Sequence, residues 1–72
     1  MVKVIKENIN KRPDVNQTLI HYNNKFYIVS DNGEEVLIFL SDCNGSIIDW
    51  AEVGSAISKE DAINNIKQCI FR

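Results

Sequence analysis

Two apolar runs near the middle of the chain set its pattern. "TLIHY" (residues 18–22) and "KFYIVS" (residues 25–30) are rich in β-branched and aromatic residues, with only Asn23-Asn24 between them. Asparagine tolerates positive φ, so this pair predicts a two-residue hairpin loop. "EVLIFLS" predicts a third strand after a turn centred on Asn32-Gly33, and "SIIDWAEV" a fourth after the turn at residues 42–45. The last segment changes period. Ala62, Ile63, Ile66, Cys69 and Ile70 recur at three- and four-residue spacing, which predicts a helix with one apolar stripe. Ser58 is placed to cap it, with Asp61 three residues on as in a capping box; Glu60 and Asp61 suit the positive end of the helix dipole.

Short turns between strands imply an antiparallel meander. The expected fold class is α+β: three to four antiparallel strands over residues 18–53, with one C-terminal helix, residues 58–71, packed on one face. The leading segment leaves two readings open. Residues 2–5 are either a short extra N-terminal strand or part of a flexible arm covering residues 1–17, in which Pro13 breaks any regular pattern. The 72 residues make a single small domain. Such a chain buries only about 60% of the surface its unfolded form exposes, so its margin of stability is small.

Alternation sorts the strands into two faces, and neither is polar. Leu19, His21, Phe26 and Ile28 fall on one side; Ile20, Tyr22, Tyr27 and Val29 fall on the other. The third strand splits Leu37 and Phe39 from Val36, Ile38 and Leu40. An antiparallel sheet with one solvated face should alternate apolar and polar, and this one does not. One helix covers one face. The other needs the N-terminal segment, a second copy or a partner, because apolar patches of that size mark interaction sites. The expected interaction surface comprises Tyr22, Tyr27, Val29, Ile38, Asp49, Trp50 and Glu52.

Charge adds a second candidate. The net charge is −2, but Lys3, Lys6, Lys11 and Arg12 make the first twelve residues basic. These four are the expected nucleic-acid arm, if there is one. The strands themselves are bordered by acids, which suits a single-strand stacking platform poorly. No apolar run reaches the length of a membrane span and the N-terminus lacks a signal-peptide core, so a cytoplasmic protein without membrane contact is expected.

Candidate chemistry narrows further. "SDCNGSIIDWAEV" holds the residue types of a calcium loop, but its glycine comes fourth from Asp42 where an EF-hand needs it sixth. Turn chemistry explains the same residues, with Asp at the start and Asn-Gly at the centre. Cys43, Cys69 and the single His21 are too few for a zinc site, and the two thiols read as unrelated and reduced. Asp49 and Glu52, three apart on a strand, point to opposite faces and form no acid–base pair. No nucleophile elbow, phosphate loop or dinucleotide fingerprint is present. A non-enzymatic protein with no catalytic residues, no metal and no cofactor is expected.

The stretch from His21 to Lys67, "HYNNKFYIVS…EEVLIFLSDCNGSIIDWAEV…KEDAINNIK", resembles small uncharacterised bacteriophage and prophage proteins. The shared outline is a tyrosine-rich hairpin, a D-x-N-G-x-I-x-D-W-x-E strand motif and a helix after acidic residues. The resemblance carries no established activity. It implies a stoichiometric binder of a host protein, for instance an inhibitor of a host defence system such as a CRISPR effector, working in the host cytoplasm as a homodimer or partner-bound module. The alternatives are a nucleic-acid-binding accessory protein using the basic arm and an oligomer that sequesters a small ligand.

Overall fold

Five strands precede one helix in the computed structural model, in the order β1 (Lys3–Lys6), β2 (Asn16–Tyr22), β3 (Lys25–Asp31), β4 (Val36–Ser41), β5 (Ile47–Ala56) and α1 (Lys59–Gln68). The structure describes residues 2–11 and 13–68, and for residues 49–51 the backbone alone. All neighbours pair antiparallel in the order β1-β2-β3-β4-β5. The α+β class and the meander hold, but three to four strands is an undercount. Of the two readings of the leading residues, the strand is the one present. The sequence leaves β1 undecided because all four of its residues are exposed, so no alternation marks it.

The turns form for the reasons their residues suggest. Asn23 and Asn24 take φ values of 52° and 65°, the left-handed pair that a two-residue hairpin needs. At the β3–β4 turn, Asn32 Oδ1 accepts from the Glu34 and Glu35 amides, each at 2.9 Å. Between β4 and β5, the Gly45 amide donates to the Asp42 carbonyl at 3.2 Å and the Asp42 amide to the Ser46 carbonyl at 3.0 Å. Gly45 follows with φ 87°, which makes this a tight turn closed by a left-handed glycine. The helix start is capped as expected: the Asp61 amide donates to Ser58 Oγ at 3.1 Å, and Asp61 Oδ2 accepts the Ile57 amide at 3.2 Å.

Helix α1 presses Ala62 and Ile66 onto the sheet face formed by Ile20, Tyr27, Val29, Val36 and Ile38. At its far end the Tyr22 hydroxyl donates to the Lys67 carbonyl at 3.1 Å, partnering a carbonyl in the last turn, where helices leave such groups unpaired. Near its start Lys59 pairs with Glu7, just beyond β1. Cys69 and Ile70, the outer part of the expected stripe, lie outside the described residues.

The second face is buried at its centre by the chain itself. Leu19 and Ile28 are buried there, Ile28 to 0% exposure, with no helix above them. Residues 8–10 are tied back to residues 15–17 by asparagines as a loop. The Asn8 amide donates to Asn16 Oδ1 at 3.1 Å, the Ile9 amide to the Gln17 carbonyl at 2.9 Å, and Asn10 Nδ2 to the Val15 carbonyl at 3.0 Å. This loop carries Ile9 towards Leu19. From the opposite side, the register of β5 slips: Ser41 pairs with Ile47 but Phe39 with Glu52, so Leu40 alone stands opposite residues 48–51. Such a bulge bends a strand sharply. The β4–β5 turn thereby reaches β2, where a methyl at Gly45 would stand 3.1 Å from Ile9 Cδ1 and 3.7 Å from Leu19 Cδ2. Of the three coverings open to this face, the N-terminal segment contributes Ile9, joined by the turn.

One polar atom in this packing has no partner. Thr18 is 1% exposed, and its Oγ1 makes no hydrogen bond. A hydroxyl buried in this way costs about 1–3 kcal/mol. Thr18→Val keeps the shape and removes the hydroxyl, so it should raise stability by about 1 kcal/mol, or about 4–8 °C in melting temperature for a domain of this size. A calorimetric melt checks it, and a lower melting temperature would mean that the hydroxyl is bonded after all.

Candidate interaction surface

The fold divides the expected interaction residues. Tyr27, Val29 and Ile38 are buried under α1, so they are core and not surface. The expectation is corrected for a physical reason: both faces of the sheet are apolar, and alternation separates the faces without saying which one the helix takes. Tyr22 shares that face and is half-buried, with its hydroxyl committed to the helix end. Glu52 is exposed opposite Phe39. Asp49 and Trp50 sit within β5, but their side chains lie outside what is described.

The opposite face, expected to hold Leu19, His21, Phe26 and Ile28, holds them. His21 and Phe26 are direct cross-strand partners, with ring centroids 4.5 Å apart and planes at 19°. This stacked pair gives the lone histidine a packing role in the sheet. Cys43 is an exposed free thiol on the β4–β5 turn, and Cys69 lies outside the described residues. In the same turn Asp42 Oδ1 accepts from the Asn44 and Ser46 amides, at 2.9 and 3.0 Å, so the carboxylate caps the turn. Among the described residues no group of three or more metal-ligating side chains forms.

The cations of the leading segment are placed by pairing. Lys3 lies opposite His21 and Lys6 opposite Leu19, with a register shift between Val4 and Lys6. Lys3, Lys6 and Lys11 are exposed; Arg12 is outside the described residues. The pairing puts Lys3 on the side of the His21–Phe26 stack.

Pattern reading missed the apolar residues that are in fact on the surface. Val4 and Ile5 of β1 are each 43% exposed, Ile48 of β5 is 42% exposed, and Ile57 is 91% exposed. Ile57 precedes the cap Ser58, the place where an apolar residue often packs back onto the first turn as a staple. Here it points into solvent. Among the described residues Val4 and Ile5 lie on a strand that pairs on one side only, because β1 is the end of the strand order. An edge strand of this kind offers unpaired backbone donors and acceptors along its outer side.

No helix in the described residues is long and apolar enough to cross a membrane. No protein-family model, no curated protein and no solved structure matches this chain.

Proposed function

We propose that this chain is a stoichiometric binding module and not a catalyst: an accessory protein of bacteriophage type that occludes a host protein. A defence component such as a CRISPR effector is the target class that the resemblance to phage proteins favours. The observation that carries the reading is the edge strand β1, where Val4 and Ile5 stand 43% exposed between Lys3 and Lys6. Strand addition at such an edge takes its affinity from backbone hydrogen bonds and its specificity from the side chains beside them. The lysines restrict the partner. In the register that sets Val4 opposite Ile5, a second antiparallel copy of β1 would place Lys3 opposite Lys6, and like charges directly opposite are destabilising. An extended, neutral or acidic segment of another protein fits better.

The test is capture from host lysate with the full chain as bait, repeated with the double substitution Val4→Glu and Ile5→Glu. The wild-type chain should hold one host protein near one-to-one. The double variant, with an unchanged melting profile, should bind it about tenfold or more weakly, as expected for loss of a hot spot worth more than about 1 kcal/mol. Equal capture by both chains rejects β1 as the surface, and the absence of any partner rejects the module.

A second reading, single-stranded nucleic acid, is favoured by one observation: the pairing of Lys3 with His21, beside the His21–Phe26 stack. Stacked aromatics with adjacent cations can hold a base and its phosphate. Such binding weakens steeply as salt rises, whereas an apolar edge contact does not.

A further inference from the structure

The β3–β4 turn holds an asparagine–glycine pair in an arrangement with chemical consequences. In such a pair the glycine amide nitrogen can attack the preceding side-chain carbon, Cγ, and close a five-membered succinimide. The reaction asks for three things: an unhindered nitrogen, a base for its proton, and donors for the negative charge that grows on Oδ1. All three meet at Asn32-Gly33. The Gly33 amide donates to the Asp31 carboxylate at 2.9 Å. Asn32 Oδ1 accepts from two backbone amides, those of Glu34 and Glu35, each at 2.9 Å. Gly33 is exposed, and a methyl placed on it would meet nothing within 4 Å.

We propose that Asn32-Gly33 is a self-modifying site that deamidates selectively in the folded protein. As the bond between Gly33 N and Asn32 Cγ forms, the amide proton passes to the Asp31 carboxylate. The electron pair displaced from the carbonyl settles on Oδ1, where the Glu34 and Glu35 amides act as an oxyanion hole. Collapse of the tetrahedral intermediate breaks the bond from Cγ to Nδ2. The departing nitrogen takes the proton held by Asp31 and leaves as ammonia. Water then opens the succinimide at either carbonyl, leaving aspartate or isoaspartate at position 32. Nothing is oxidised or reduced, and water is the sole co-reactant.

The same dipeptide occurs at Asn44-Gly45 without this apparatus. There the Gly45 amide donates to a backbone carbonyl, that of Asp42, at 3.2 Å. Asp42 Oδ1 already accepts from the Asn44 and Ser46 amides, and a methyl on Gly45 would stand 3.1 Å from Ile9 Cδ1, where one on Gly33 meets nothing. The chain thus contains its own control. The consequence at position 32 is structural. Aspartate adds a charge beside Asp31, Glu34 and Glu35, and isoaspartate adds a backbone atom to the loop that fixes the Asp31↔Val36 register. Both products loosen the hairpin that carries Val29 and Ile38 of the core.

The full chain, aged at neutral pH and followed by peptide mapping that separates isoaspartate from aspartate, tests this. In the folded protein Asn32 should convert about tenfold faster than Asn44, a small part of the roughly 100-fold that one preorganised oxyanion donor contributes in an enzyme. In urea, where donors and base are lost, the two rates should converge. Asp31→Asn keeps an acceptor for the Gly33 amide but removes the base, and should slow Asn32 by a similar factor while leaving Asn44 unchanged. Conversion of Asn32 that is no faster than that of Asn44 in the folded chain, faster in urea than when folded, or indifferent to Asp31→Asn overturns the proposal.

Discussion

Ile28→Ala should cost about 3–4 kcal/mol, as much as a substitution directly beneath the helix. Ile28 has 0% exposure and sits on the face that α1 leaves uncovered. Truncating a buried isoleucine to alanine removes the transfer energy of its methyl groups and leaves a cavity, typically 2–5 kcal/mol together. A domain of this length has a total of about 4–11 kcal/mol, at about 0.05–0.15 kcal/mol per residue. The single change therefore takes away a large share of the stability. Urea denaturation should show a lower midpoint with an unchanged slope, matching Ile66→Ala in size. A loss below about 1 kcal/mol at Ile28, beside a full loss at Ile66, would mean that the second face is open to solvent.

The second large effect belongs to the contact that closes this face. Gly33 and Gly45 have nearly the same φ, 89° and 87°, so alanine meets the same backbone strain at both, about 1–2 kcal/mol. Their surroundings differ. The new methyl touches nothing at Gly33 but lies 3.1 Å from Ile9 Cδ1 at Gly45, closer than ordinary van der Waals contact. Gly45→Ala should therefore be worse than Gly33→Ala by about 1 kcal/mol, the lower end of overpacking costs. The excess should vanish in an Ile9→Ala background, giving a coupling of about 1 kcal/mol in a double-mutant cycle. Equal costs at the two glycines, or strict additivity with Ile9→Ala, would show that the N-terminal loop and the β4–β5 turn do not meet.

Much of the fold is local, and that part can be read from the residues. Asn23-Asn24 states its turn through a conformational preference, Ser58 and Asp61 state the helix start through hydrogen bonds, and alternation sorts β2, β3 and β4 into their two faces correctly. What escapes is long-range. Alternation cannot say which of two apolar faces receives the helix, and so Tyr27, Val29 and Ile38 read equally well as surface or core. Ile9 lies in an asparagine-rich stretch with no period of its own. Its role exists only because the slip in β5 brings Gly45 across to β2. β1 stays undecided between strand and arm for the converse reason, since an edge strand exposed along its whole length has no alternation to show.

The candidate surface moves accordingly. With the helix on one face and Leu19 and Ile28 buried within the chain on the other, the proposed recognition surface is the β1 edge. That reading of function depends on this burial. A second copy would be needed on the Leu19–Ile28 face only if the burial were missing.

The most direct measurement is a nuclear Overhauser spectrum of the free chain at low concentration, with the Ile9 Cδ1 methyl observed. Strong cross-peaks from that methyl to the Gly45 α-protons and to a Leu19 methyl are expected, because Ile9 Cδ1 and Leu19 Cδ2 lie 3.1 and 3.7 Å from where a Gly45 Cβ would stand. Absence of both cross-peaks in a chain that is otherwise folded would contradict the burial of this face within one chain, and with it the assignment of binding to the edge.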